Sequence, residues 1–486
     1  MEPPEPPKSF IEKLQERLAA SRFFTVSLLL HAVLIVMGGS VVLFKHYTEV
    51  SDFTSSDGLV NADAQVQAPP DTPQDTPQTT MAPQAPNLSA PSLSAISTNN
   101  ATTPTFQVAA AVPVVKAVQS DAMADALKKA SSAKGLAAGI PGAMGGRIGG
   151  SKQRMMDQNG GKKESEIAVQ KGLKWLVEHQ SSDGSWGPAN QGAMTGFALL
   201  AFLGHGETPV SADYGPTVQK GFDWLVENGK RHAGRLSMAD TFTQPGVYEH
   251  AIATYALGEY YTMTKDERVA DLLKQAIGYI VKGQDANGGW QYGYAQGAES
   301  DTSVSGWQIQ ALKAAHLSGL NIDGVDPALD KAMLNLKRVQ AGDGSFGYKK
   351  AGDRDYSLDG AGVLCTYFWK QEKDKSVREG IEHMMKMTDT KYPVDYHHEK
   401  ADLYAWYYNT QACLMVGGAA WSKWNRLFQD QIIKNQNPDG SWPPVAGKSP
   451  GGDLQRDPEG AGPYYRTCLC ILMLEVYYRY SPTMKN

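Results

Sequence analysis

The chain has 486 residues and carries 46 Lys and Arg against 51 Asp and Glu, a net charge of −5. That balance argues against a nucleic-acid-binding chain, and the length leaves room for about three domains. Residue types are unevenly placed: all ten Trp lie at or beyond Trp175, and Tyr47 alone among the 22 Tyr precedes residue 200. The first third therefore reads as a tether, and the last 324 residues, Lys163 to Asn486, hold a core large enough to need no disulfide or metal. The four Cys, at 365, 413, 468 and 470, sit in apolar helical patterns and read as buried free thiols.

In chain order, residues 1–22 form a short N-terminal segment, followed by 22 residues from Phe23 to Phe44 without Asp, Glu, Lys or Arg. Such a run spans a bilayer as one helix. Lys8, Lys13, Arg17 and Arg22 precede it and Lys45 alone follows within seventy residues, so the N-terminus is expected in the cytoplasm. The protein then reads as a single-pass inner (plasma) membrane protein with its C-terminal part periplasmic or extracellular. A cleaved signal peptide is the alternative, set against the length of the run and the lack of a nearby small-x-small site. Ser27 and His31, four apart, share one helix face, and an ionisable residue inside a membrane marks a functional position.

Ser-x-x-x-His in an N-terminal anchor, ahead of a Pro-rich stretch, resembles the energy-transducing TonB family. The resemblance covers some fifty residues and implies that Ser27 and His31 dock on a proton-channel complex; the C-terminal domain typical of that family is absent. Residues 45–162 are rich in Pro, Ala, Gln, Ser and Thr, as in PPDTPQDTPQTT, and read as a disordered linker. As a coil it would reach roughly 60 Å. Ala122 to Lys134 has the pattern of a short helix, and GGRIGGSKQ reads as a flexible hinge without chemistry.

From Lys163 onward the chain repeats. Gly172-Leu173-x-Trp175-Leu176, Gly221-Phe222-x-Trp224-Leu225 and Ala276-Ile277-x-Tyr279-Ile280 share helical apolar spacing, and Gln-x-x-x-Gly-x-aromatic recurs at Gln180, Gln284, Gln340 and Gln436. Asp183-Gly184, Asn287-Gly288, Asp343-Gly344 and Asp439-Gly440 are turns that stop a helix where positive φ is needed. With degenerate units near Asn228 and Met387, six repeats of about fifty residues result. A second, more apolar helix per repeat is expected over 193–203, 249–261, 302–318, 359–369, 403–416 and 463–478. The expected fold is all-α: an (α/α)6 toroid of six hairpins over 163–486, with the second helices as its inner ring.

The Gln-x-x-x-Gly-x-Trp repeats resemble the squalene-cyclase and protein-prenyltransferase repeat family over nearly all of that region. The resemblance implies a central cavity lined by inner helices and suited to an isoprenoid ligand. For the acid of cyclases, the matching position is Asp301 in Glu299-Ser300-Asp301-Thr302-Ser303; the paired Asp of that motif is missing and Ser300 stands in its place, so the acid-strengthening partner would be Glu299 or a more distant group. Asp301 is equally a helix N-cap. For the zinc of prenyltransferases, Asp359 and Cys365 are six apart where the family has two, so neither the downstream His397 and His398 nor any other group makes a metal site, and no cofactor is implied.

Carboxylates and aromatics cluster where inner helices begin. Tyr248, Glu249, Trp307, Tyr356, Asp359 and Asp402 are cavity candidates, as are Trp406, Tyr407, Tyr464, Tyr465 and Arg466. Glu249, Asp301, Asp359 and Asp402 fall at similar places in four repeats, which suits caps but also a rim that binds sugar hydroxyls. Three readings stay open: a tethered module binding an isoprenoid-like or protein ligand, a cyclase using Asp301, and a glycan-acting enzyme. A Gly-rich insertion in 443–463 is a candidate lid.

Overall fold

A computed structural model describes residues 142–480, apart from 298, 355, 370–373 and 448–453. The expected anchor at 23–44 with Ser27 and His31, the linker up to residue 141 and the middle of the candidate lid lie outside the described residues. Among the described residues no helix is long and apolar enough to cross a membrane.

Helix α1 (Gly150–Asn159) precedes six helix pairs. The first members are α2 (Lys163–Glu178), α4 (Gly215–Arg231), α6 (Ala270–Gly283), α8 (Val325–Val339), α10 (Lys375–Thr390) and α12 (Gly418–Lys434). Their partners are α3 (Gln191–His205), α5 (Gly246–Thr264), α7 (Thr302–Leu317), α9 (Asp359–Phe368), α11 (Leu403–Val416) and α13 (Gly462–Leu474), the last followed by α14 (Val476–Arg479). The first set is amphipathic: α4 buries Phe222, Trp224 and Leu225 and leaves Lys220 and Glu227 to water. The second set is buried all round, as in α5, where every residue from Gly246 to Met263 is covered. A helix apolar on every side belongs inside other helices. Contacts run from α3 to α5, α7, α9, α11 and α13, and from α13 back to α3. The result is an all-α domain resembling α/α toroids.

The repeated motif explains how neighbouring pairs are joined. Gln284 ends α6 and its Nε2 donates to Gly288 O at 2.8 Å and to Ala328 O, in the first turn of α8, at 2.7 Å. Gln180 does the same on Gly184 and Thr217, and Gln340 on Gly344 and Ser376. Gln436 closes the circle, donating to Gly440 O and, at 2.8 Å, to Ala168 O of α2. The glycine is obligatory because a Cβ at Gly288 (φ 90°) would stand 2.1 Å from Lys331 O, and one at Gly440 (φ 99°) 2.3 Å from Lys171 O. The Trp186, Trp290 and Trp442 indoles each donate to the carbonyl ten residues earlier, at 2.8 Å, tying the turn to the helix that precedes it.

Ordered structure begins before residue 163, where composition places its start. Residues 142–147 form a 3-10 helix and α1 follows, where a disordered stretch to residue 162 is expected. Arg147, Met144 and Met156 are buried against the domain, so this polar, glycine-rich stretch is ordered by tertiary contacts that composition does not register. All four Cys are free and buried.

Candidate functional site

Asp301 caps α7. Its Oδ1 accepts from the backbone N–H of Ser303 (2.8 Å) and Val304 (3.2 Å) and from Ser303 Oγ (2.6 Å), so the cap reading holds in full. The carboxyl is nonetheless placed for more. It is wholly buried, and Oδ2 has no well-formed hydrogen bond, although the Tyr348 and Tyr292 hydroxyls lie close enough to act on it. Burial pushes its pKa above the usual carboxylate range, against the opposing pull of Ser303, Tyr348 and the helix-end N–H groups.

Three tyrosines surround this acid. Tyr248 O–H donates to Tyr292 Oη at 2.9 Å and lies 3.3 Å from Ser303 Oγ, while the Tyr292 and Tyr348 hydroxyls are 3.2 Å apart. Tyr248 is buried; Tyr292 and Tyr348 are half-buried and reach the surface. Burial, followed by the charge of Asp301, raises all three phenols above their ordinary range, so they remain neutral donors. The cluster joins the second Asp301 oxygen to the outside through O–H groups that can donate and accept in turn.

Of the expected residues, the structure brings Tyr248 and Asp301 together and adds Tyr292 and Tyr348, which sequence reasoning missed. Each stands two residues after the motif aromatic, Trp290-x-Tyr292 and Phe346-x-Tyr348, in successive repeats; that pairing was the available signal. Glu299 is exposed, and the largest influences on Asp301 come from its burial, Ser303, Tyr348 and the helix-end N–H groups. Ser300, in the missing acid's place, turns away to donate to Asp285 Oδ2 at 2.6 Å.

Other candidates serve the frame. Glu249 accepts from Gly192 N–H at 2.9 Å at the start of α3, and burial raises its pKa. Asp402 caps α11 by accepting from Ala405 N–H. Asp359 accepts from Phe346 N–H (2.9 Å) and pairs with His383 (2.8 Å); Thr195 and Ser305 hold Trp186 and Trp290 in the same way. Its equivalents are thus Thr195 and Ser305 rather than Asp301, so the expected row of four matching carboxylates is two caps, a brace and Glu249. Arg466 donates to Trp442 O and Leu454 O, pinning part of the candidate lid.

The aromatics sit inside rather than on a mouth. Trp307 meets Phe197 edge-on at 5.3 Å, and Phe197 meets Tyr465 at 5.9 Å, so α3, α7 and α13 touch within the ring. Tyr356 stacks on Tyr392 at 4.5 Å and accepts from Asn409 Nδ2. Trp406 and Tyr407 are buried beside Tyr396 and Tyr408. Tyr464 is half-buried against Trp175. Among the described residues no group of three His, Cys, Asp or Glu could hold a metal ion.

Comparison with known proteins gives a domain family of unknown function, DUF6288, matching residues 165–367. No curated protein matches the sequence. Similar solved structures include the type II terpene cyclase MstE from Scytonema (12% identity over 65% of this chain and 98% of that one, TM-score 0.44). The GH76A alpha-1,6-mannanase from Salegentibacter sp. HEL1_6 (10%, 65% and 99%, TM-score 0.47) and the cellobiose 2-epimerase from Spirochaeta thermophila (13%, 65% and 96%, TM-score 0.45) are similar to a like extent. Likenesses of this size say nothing about ligand or reaction.

Proposed function

We propose that the domain is an acid–base enzyme acting on a hydroxyl-rich, glycan-type ligand, with Asp301 as the proton reservoir and the Tyr292 and Tyr348 hydroxyls as the groups that meet the ligand. The observation that carries this is the buried Asp301 carboxyl, one oxygen of which is left to a tyrosine cluster that reaches the surface. Phenol and hydroxyl groups suit a ligand that offers oxygens both to accept a proton and to be held. Asp301 supplies the proton because burial favours its neutral form; Tyr248 and Ser303 hold the phenols and the carboxyl in register. On this reading the inner (plasma) membrane anchor at 23–44 holds the enzyme on the periplasmic side, with Ser27 and His31 meeting a proton-channel partner.

A second reading, an isoprenoid ligand, rests on the repeat resemblance and on the aromatic character of the ring interior at Phe197, Trp307 and Tyr465. The two separate in one experiment. The full chain in mild detergent is titrated calorimetrically with neutral and acidic oligosaccharides and with farnesol and geranylgeraniol. Oligosaccharide binding that weakens at least ten-fold in Tyr292→Phe and Tyr348→Phe, at unchanged melting temperature, supports the first reading. Isoprenoid binding without oligosaccharide binding overturns it. For any substrate so found, Asp301→Asn is expected to abolish turnover while binding persists.

A further inference from the structure

A second buried polar cluster lies where the inner helices end, and it is tied to the chain that precedes the ring. Arg147 Nε donates to Arg479 O at 2.9 Å, and its Nη1 donates to Leu203 O at 3.3 Å and to Glu259 Oε2 at 2.8 Å. Glu259 Oε1 in turn accepts from Tyr255 O–H (2.6 Å) and Arg479 Nη2 (3.2 Å). One carboxylate thus sits between two guanidinium groups brought from residues 147 and 479, all of them buried. A second hold lies twelve residues on, where Asn159 Nδ2 donates to Tyr477 O (2.7 Å), Trp421 Nε1 donates to Asn159 O (3.0 Å) and Gln429 Nε2 donates to Gly160 O (3.2 Å).

Between the holds the segment is kept by contacts at the surface: Lys152 Nζ meets Glu166 at 2.8 Å and lies over the Tyr478 ring, and Ile148 and Met155 are half-buried against the core. Met156 and Asn159 are the buried residues of α1, a ten-residue helix too short to persist alone, and Gly149 and Gly150 face open space. None of the four glutamine clamps that join the helix pairs involves it. Its departure would leave each remaining charge a partner: Arg147 would carry its charge into water, Glu259 would keep Arg479 and Tyr255, and Glu166, losing Lys152, would keep His205.

We propose that residues 142–160 are a releasable strap, which closes the end of the ring through Arg147 and comes away as a unit, leaving the ring folded, when the preceding chain is pulled. Hydrogen exchange on the full chain tests this. Amides of 142–160 are expected to exchange together and at least ten-fold faster than those of α5, α7 and α11, and Arg147→Met should speed the strap a further ten-fold while those helices keep their rates. Pulling the chain from its N-terminal side should give an early extension of up to about 65 Å before the ring unfolds, the stretched length of residues 142–160 at about 3.5 Å each less the span they cover when docked. Strap amides exchanging at the rate of the ring helices, or a single unfolding step, would overturn the proposal.

Discussion

Glu475 is buried with neither carboxylate oxygen hydrogen-bonded, and burial pushes its pKa up to about 8 against the opposing charges of His205 and Arg479. A carboxyl raised in the folded state binds more protons there than when unfolded, so stability falls as pH rises from the unfolded value of 4.5 through 8. Glu475→Gln is therefore expected to leave the melting temperature nearly unchanged at pH 4 and to raise it at pH 9, read from calorimetric melts at the two values. A residue that sequence does announce is Asp301, standing before an apolar run where a cap belongs. What sequence does not announce is its company. Tyr292 and Tyr348 come from loops of two different repeats, and Tyr248 from a third helix, so only the folded ring assembles the cluster. Arg147 is hidden for the opposite reason, because flanking glycines look like a hinge until a buried carboxylate meets the side chain.

Helices α2 and α3 are joined at one end by His205, whose ring nitrogens meet Glu166 at 2.9 Å and Glu207 at 2.7 Å. Burial would lower the His205 pKa, but these two bonds hold it up at about 9; burial would raise Glu166, but His205 and Lys152 bring it down to about 2. The histidine's contribution is full below its unfolded value of 6.5 and lost as pH rises through 9. The glutamate's is full above 4.5 and lost as pH falls through 2. His205→Gln should therefore destabilise most between pH 4.5 and 6.5 and least above pH 9, as urea unfolding across that range would reveal. At this scale the sequence is informative, since the alternation of amphipathic and wholly apolar helices predicts which member of each pair lies inside. It errs at residues 142–162, because a helix as polar as α1 carries no periodicity strong enough to set it apart from a linker.

A chain of stacked repeats can remain an open solenoid or close on itself, and the two differ at one seam. In an open stack the terminal repeats contact one neighbour each, whereas here Gln436 and Gly440, in the turn that follows the sixth first-set helix, engage Ala168 and Lys171 of the first. The same glutamine makes the same pair of bonds inside the stack at Gln284. Gln436→Ala and Gln284→Ala are thus matched substitutions, one at the seam and one within. Each leaves two carbonyl groups of the turn and the neighbouring helix short of a donor, an expected loss of about 1–3 kcal/mol. Closure requires the two losses to agree within about 0.5 kcal/mol and each variant to unfold in one transition, because a broken seam in a closed ring weakens both ends at once. If Gln436→Ala costs little while Gln284→Ala costs its full share, the first and last repeats do not hold each other in solution, and the Arg147 strap would then have an open edge to close as well as a ring end.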